Sequence, residues 1–396
     1  MRGLTRGLIR RGFSLLTVGG IRISINYTWF IVLGLVIWSM HENFRETYGT
    51  FGAATIWACS VAYALLLFAS VLLHELSHSF VGNRLGLGIK GITLFIFGGI
   101  AELGKEPEDP GTEIKVAAAG PACSLVLSFF FYGLSVLLYA LQGRSSAVTF
   151  QLFHAPALDS PFVALFKYLG YANAALLLFN LVPGFPLDGG RLLRAILWKR
   201  SGDVGKSTRF ASNLGKGFAV LLIVLGLLVI FVMSDFTGAW LVLVGLFLQQ
   251  AAEGSYQHVL VRKALSGVKV RETMSTDVVY VSPSLTLDVL VESFFFRFRF
   301  SSFPVVDGET LVGVVDLSHV KHIPREQWHL TRTSDVMAPV SEELVVRPED
   351  EAVDALAKMI KNGLGKLPVV VGGRLVGILT RGDVMSLLRM RTDLGA

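Results

Sequence analysis

ALLLFASVLLHELSHSFVG, residues 64–82, places the pattern His74-Glu75-Leu76-Ser77-His78 inside a run that is otherwise apolar. Residues four apart share a helix face, so His74 and His78 can present two imidazoles to one metal ion. Glu75 sits beside them and suits a general base acting on a metal-bound water. A catalytic zinc ordinarily has three protein ligands, so the pair leaves one to be found elsewhere. Singly, each residue has a plainer reading. A histidine in an apolar helix is usually a hydrogen-bonded structural group, and a glutamate there can serve a proton or ion path. Three ionisable groups within five residues of an apolar segment are a different matter, because they are costly unless a cation offsets them.

The remainder of the chain fits a membrane setting. Of 396 residues, 52% are hydrophobic and 17% charged, and the mean hydropathy is +0.58. Soluble domains carry about 25% charge, and a single soluble core could not hide so much apolar surface. Disorder is excluded, since disordered chains are apolar-poor and charge-rich. A disulfide scaffold is excluded because the only cysteines, Cys59 and Cys123, lie in apolar runs as free thiols. The net charge of +6 reflects basic cytosolic loops and no nucleic-acid partner.

Six runs approach the roughly 20 helical residues that cross a bilayer: 24–40, 51–82, 115–141, 161–182, 215–234 and 237–254. The last two are joined only by Ser234-Asp235-Phe236, a tight helical hairpin. Basic residues cluster at the N-terminus (Arg2, Arg6, Arg10, Arg11), after run two (Arg84, Lys90, Lys105) and after run four (Arg191, Arg194, Lys199, Arg200, Lys206, Arg209). The alternate loops hold little beyond Arg45 and Arg144. Positive charge marks the cytosolic side, which predicts a multi-pass protein of the cell membrane with both termini in the cytosol. The N-terminal arginines before Phe13-Ser14-Leu15-Leu16 resemble a signal-peptide start. However, Gly19-Gly20 and Arg22 break the apolar stretch and no small-residue cleavage site follows, so the segment is expected to be retained.

The third ligand is expected at Asp188, in Asn180-Leu181-Val182-Pro183-Gly184-Phe185-Pro186-Leu187-Asp188-Gly189-Gly190-Arg191. Prolines and glycines end run four as a regular helix. A lone aspartate at such an end is ordinarily an interfacial residue. Here runs two and four cross in the same direction, and His78 lies a few residues from the cytosolic end. At 1.5 Å per residue the site is then about 10 Å deep, within reach of a segment folding back. Irregular backbone at that depth is tolerated where it lines a polar cavity. The other histidines, His41, His154, His258, His319, His322 and His329, have no comparable setting.

The H-E-L-S-H pattern followed by N-x-x-P-x-x-P-L-D-G-G resembles the site-2 protease family of intramembrane zinc metalloproteases, over residues 13–254. The resemblance implies one Zn2+ per chain on His74, His78 and Asp188, Glu75 as base, and a helper role for Asn180 near the reacting carbonyl or the substrate strand. Gly19-Gly20-Ile21-Arg22-Ile23 is similar to the family's membrane-associated entry strand. Phe97-Gly98-Gly99-Ile100-Ala101 is similar to its glycine-containing hairpin, and Gly120-Pro121 to the start of its third span. Gly98 and Gly99 are consistent with an ordinary turn. They are also consistent with an edge strand that pairs with an unwound substrate. The implied substrate is a single-span, membrane-anchored regulatory protein.

After residue 255 charges become frequent and a repeat appears. One copy (about 265–325) carries Val270-Arg271-Glu272-Thr273-Met274, Phe303-Pro304-Val305-Val306-Asp307 and Leu311-Val312-Gly313-Val314-Val315. The other (about 330–392) carries Thr333-Ser334-Asp335-Val336-Met337, Leu367-Pro368-Val369-Val370-Val371 and Leu375-Val376-Gly377-Ile378-Leu379. Each reads strand, helix, strand, strand, helix and resembles a cystathionine-beta-synthase (CBS) domain. The resemblance implies an adenosine-nucleotide site at Thr380 and Asp383. The first copy departs there, with Asp316 and His319. The alternative is a pair that serves only to form a homodimer. The segment Phe294-Phe295-Phe296-Arg297-Phe298-Arg299-Phe300 has too many aromatics for one helix face and is expected to pack on the membrane domain, another subunit or lipid.

The expectation is a polytopic α-helical membrane protein, 1–254, with about six spans and a short membrane-associated β-hairpin, plus a soluble α/β CBS pair, 255–396. Its expected function is intramembrane zinc proteolysis modulated by the CBS pair. A CBS-regulated transporter or channel explains the membrane charges but not the two motifs, and a dead scaffold is at odds with the full set of site residues.

Overall fold

Ile21, Ile23 and Ile25 are buried while Arg22 is exposed, the period-2 pattern of a strand with one covered face. This strand, β2 (Ile21–Asn26), forms a hairpin with β1 (Gly12–Val18). It also pairs in parallel with β3 (Gly91–Phe95), which in turn pairs antiparallel with β4 (Gly98–Glu102). The expected β-hairpin is therefore half of a four-stranded sheet, with β1 and β4 as its outer strands. The computed structural model describes residues 12–96, 98–102, 104–142, 160–233 and 237–394. Arg2, Arg6, Arg10, Arg11, Phe97, Arg144, His154 and the Ser234-Asp235-Phe236 connection lie outside the described residues.

Contacts divide the chain into Met1–Tyr256 and Gln257–Ala396. The helices of the first unit are α1 (Thr28–Thr47), α2 (Ala53–Arg84), α3 (Pro110–Leu141), α4 (Pro161–Asn180), α5 (Asp188–Ser201) and α6 (Val204–Met233), and α7 (Gly238–Leu265) runs past the unit's end. Four of the described helices, α2, α3, α4 and α6, are long and apolar enough to cross a membrane. The expected count of six is not reached. Residues 24–26, placed in the first run, are strand, and α1 then carries His41, Glu42, Asn43 and Arg45. In α7, Gln249, Gln250 and Glu253 cut the apolar run short.

Polar groups within the helices are mostly satisfied locally. Ser60 and Ser70 hydroxyls donate to the Ile56 and Leu66 carbonyls one turn back. Small residues let helices approach closely: a side chain at Gly245 of α7 would meet the Ala219 carbonyl of α6 at 2.7 Å. Leu76, between the two motif histidines, packs with Ile23, Ile25, Ile92 and Leu94. The sheet is thereby fixed to the α2 turn that carries the motif.

In the second unit the repeat is visible as geometry. Strands β5 (Ser302–Asp307) and β6 (Thr310–Asp316) pair antiparallel, with a register shift between Val305 and Val306. Strands β8 (Lys366–Val371) and β9 (Arg374–Thr380) pair the same way, shifted between Val369 and Val370. The short β7 (Ala338–Pro339) adds to β6. Each copy has its own apolar core, one around Phe303 and one around Met359. The aromatic segment differs from expectation. A π-helical turn at Val291–Phe295 offsets the helical phase by one residue per turn. Phe294, Phe295, Phe298 and Phe300 all gather round Phe303, and Phe296 is left 69% exposed.

Candidate metal centre

Helix α2 brings His74 and His78 to one buried face, with their rings 4.9 Å apart. The third group arrives by a backbone fold. After α4 ends at Asn180, the chain turns and α5 starts at Asp188. Gly189 permits this, because a side chain there would meet the Val182 carbonyl at 2.5 Å. Asp188 Oδ2 then lies 3.1 Å from the Nε2 of both His74 and His78, and the two nitrogens lie 3.3 Å apart. Among the described residues this is the one cluster of three metal-ligating groups, and all three are buried.

The donor set fits zinc. His78 Nδ1–H donates to the Val116 carbonyl at 2.7 Å. A carbonyl only accepts, so in the neutral ring Nε2 carries a lone pair. His74 Nδ1 is held by Ser124 Oγ at 2.8 Å. Both rings are thus oriented from behind, as metal-binding histidines ordinarily are. The lone pairs of His78 Nε2 and Asp188 Oδ2, 3.1 Å apart, repel unless a cation or a proton lies between them, and His74 Nε2 stands 3.1–3.3 Å from both. Ligands about 2.0–2.1 Å from a tetrahedral zinc are about 3.3–3.4 Å apart, close to the observed triangle. Gly120 of α3 completes the cradle. A Cβ there would lie 2.6 Å from His74 Nε2 and closer still to His78 Nε2, in the space a metal needs.

Glu75 faces the same cavity. A side chain at Gly99 would come within 2.5 Å of Glu75 Cγ. Strand β4 therefore lies directly against the glutamate. The cavity, about 990 Å³, is lined by His74, Glu75, His78, Gly98, Gly99, Asn180, Asp188 and Arg191, with apolar walls from α4, α6 and α7. Asn180 Nδ2 donates to the Leu176 carbonyl at 3.0 Å, so part of its amide is committed to its own helix.

Several supporting residues were not singled out by the sequence. Glu113 of α3 is fully buried and takes both Nε and Nη2 of Arg194, a bidentate pair. Arg194 also lies 5.1 Å above the Phe185 ring. The pair ties α5, and with it Asp188, to the helix that carries Gly120 and Ser124. Glu113 lies in the charged stretch before run three, 115–141, where one more carboxylate carries no signal. Nothing local marks Ser124, and Gly120 was marked only through the Gly120-Pro121 resemblance.

In the second unit, Thr380 and Asp383 bond each other: Thr380 N–H and Oγ1–H donate to Asp383 Oδ2 at 2.9 and 2.7 Å. A pocket of about 350 Å³ is lined instead by Asp316, Ser318, His319 and Lys366, at the motif position of the first copy. Burial lowers the Lys366 pKa, and Asp316 opposes that shift.

Comparison with known proteins agrees with both halves. Residues 62–225 match the model of peptidase family M50, and residues 270–326 and 334–390 each match the CBS domain model. Rip3 of Mycobacterium tuberculosis is 30% identical over 373 residues, 94% of this chain and 91% of that protein. The zinc metalloprotease MJ0392 of Methanocaldococcus jannaschii is 30% identical over 384 residues, 96% of this chain and 98% of that protein. The solved site-2 protease from Methanocaldococcus jannaschii is 31% identical with a TM-score of 0.40, covering 62% of this chain and 95% of that one. The full-length likeness in sequence, together with the family models, shows that this membrane protein belongs to peptidase family M50 and carries a tandem pair of CBS domains.

Proposed function

We propose that the protein is an intramembrane zinc endopeptidase of the site-2 type, cutting a peptide bond within or near the transmembrane segment of a membrane-anchored regulatory protein. The observation that carries the reading is the meeting of His74, His78, Asp188 and Glu75 in one apolar-walled cavity beneath an outer strand. Zinc, when held by His74, His78 and Asp188, supplies Lewis acidity that lowers the pKa of a bound water and polarises the scissile carbonyl. Glu75, in the same cavity, would take a proton from the attacking water and deliver it to the leaving amine. Ser124 and the Val116 carbonyl keep the imidazoles aimed.

The edge of β4 answers a problem set by the substrate. A helix in a bilayer has every peptide group bonded internally, so no carbonyl is free for attack. Gly98 and Gly99 offer main-chain partners at the site itself, which lets a substrate segment unwind as an added strand. Asn180 lies in the same cavity and is assigned to hold the reacting carbonyl or that strand. The basic loops support cytosolic termini. The CBS pair is assigned a regulatory role through an adenosine nucleotide, and a homodimer contact.

The test is direct. Protein purified in detergent should hold about one zinc per chain and cleave a single-span substrate. Glu75→Gln should keep the zinc and lose at least about 10²-fold in rate, the lower range for a general base. A wild-type protein without zinc, or Glu75→Gln cleaving at the wild-type rate, sinks the reading.

A further inference from the structure

Two arginines sit one helical turn apart on α5, and their surroundings differ sharply. Arg194 is spent on Glu113 and Phe185. Arg191 is not spent at all. Its backbone N–H bonds the Leu187 carbonyl, but among the described residues its guanidinium has no hydrogen-bond or ion-pair partner. Yet Arg191 lines the cavity that holds His74, Glu75, His78 and Asp188. It lies three positions after Asp188, so both side chains emerge on one helix face. The carboxylate of Asp188 is turned to the two histidines and leaves the guanidinium open. The same cavity has apolar walls, among them Leu176, Phe179, Val244 and Phe247. Arg191 is half-buried, and a guanidinium without a partner on the wall of the cavity is open to an anionic group.

Charge identifies that partner. Asp188 and Glu75 together balance a divalent ion, and Arg191 supplies the one further positive charge that a carboxylate cancels. We propose that Arg191 binds the carboxyl side of the cut: the carbonyl oxygen as it gains negative charge, and then the carboxylate left on the product. This rests on the protease reading. In the reaction the water oxygen bonds to the carbonyl carbon and the carbon–nitrogen bond breaks. One water proton passes through Glu75 to the amine, and the acid product ionises. Arg191 exchanges no proton; it donates N–H bonds to the oxygens, a role for which its planar fork is suited and a lysine is not.

The experiment uses the full-length chain in detergent micelles, zinc-loaded, in the Glu75→Gln background so that nothing turns over. Two fluorescent apolar peptides, identical except for a C-terminal carboxylate or carboxamide, are titrated. The zinc-holding protein should prefer the carboxylate. Arg191→Gln and Arg191→Met should each shrink that preference by about tenfold to a hundredfold, the range of a charge-assisted bond, with carboxamide affinity little changed. Arg191→Lys should restore part of it. In the active background the same variants should lower kcat more than they raise KM. A preference unchanged in both variants overturns the proposal. So does loss of zinc in both, which would make Arg191 a support of the metal site. A wild-type protein that holds zinc but cuts nothing refutes the protease reading instead, and the peptide titration tells the two failures apart.

Discussion

Replacing Gly120 with alanine should separate the metal site from the fold. By helix propensity alone the change is favourable, because alanine is about 1 kcal/mol better than glycine in a helix interior. The site says otherwise. The added Cβ would stand 2.6 Å from His74 Nε2, and ordinary contact begins at 3.4 Å. The His74 ring must therefore retreat by about 0.8 Å, and His78 by more, whereas zinc ligands tolerate about 0.2 Å. Neither ring is free to move. Ser124 holds one at 2.8 Å and the Val116 carbonyl, on the same helix as Gly120, holds the other at 2.7 Å. Loss of an orienting partner costs about 10–100-fold in metal affinity, and displacement of the ligands themselves should exceed that. The expected result is zinc affinity down by more than about 100-fold, equivalent to about 2.7 kcal/mol, with no cleavage. In the metal-free protein the overpacking of the rings offsets the propensity gain, so the variant should still fold and melt within a few degrees of metal-free wild type. Elemental mass spectrometry, chelator competition and thermal unfolding read these quantities. A Gly120→Ala protein with one zinc and an unshifted competition curve would refute the cradle argument.

Other outcomes follow from single contacts. Ser124→Ala should weaken zinc binding by about 10–100-fold while Ser124→Thr retains much of it, as read by the same chelator competition. Arg194→Ala leaves the fully buried Glu113 carboxylate unpaired and should destabilise the membrane unit by about 3–5 kcal/mol, measured by denaturant unfolding. An Arg194→Ala protein as stable as wild type would show that the pair has no clamping role. Chelation of wild type should abolish cleavage, and added zinc should restore it without refolding, since the three ligands are already in register in the folded chain. Gly99→Val should push the Glu75 side chain from beneath β4 and cut the cleavage rate with zinc content unchanged.

The meeting of His74, His78 and Asp188 was legible in the sequence because each motif that carries them is local. The spacing of His74 and His78 on a helix determines a shared face, and the scarcity of charge in an apolar run makes Asp188 conspicuous 110 residues later. The CBS repeat was legible for the same reason, since each copy repeats its own short-range pattern. The start of the first helix was not. Run length cannot tell an apolar strand from the start of a helix, and β2 takes its identity from pairing with β3, some 70 residues away. The aromatic segment was misjudged because a π-helical turn changes which residues face inward, and that turn is set by packing on Phe303. Sequence by itself determined that His74, His78 and Asp188 would meet one another. Only the tertiary structure decided what surrounds them: the bare Cα of Gly120 in front of the histidines, Ser124 and Val116 behind them, Glu113 holding Arg194, and Arg191 left unpaired. Those relations join helices far apart in the chain, where no periodicity reaches and only close packing sets the distances.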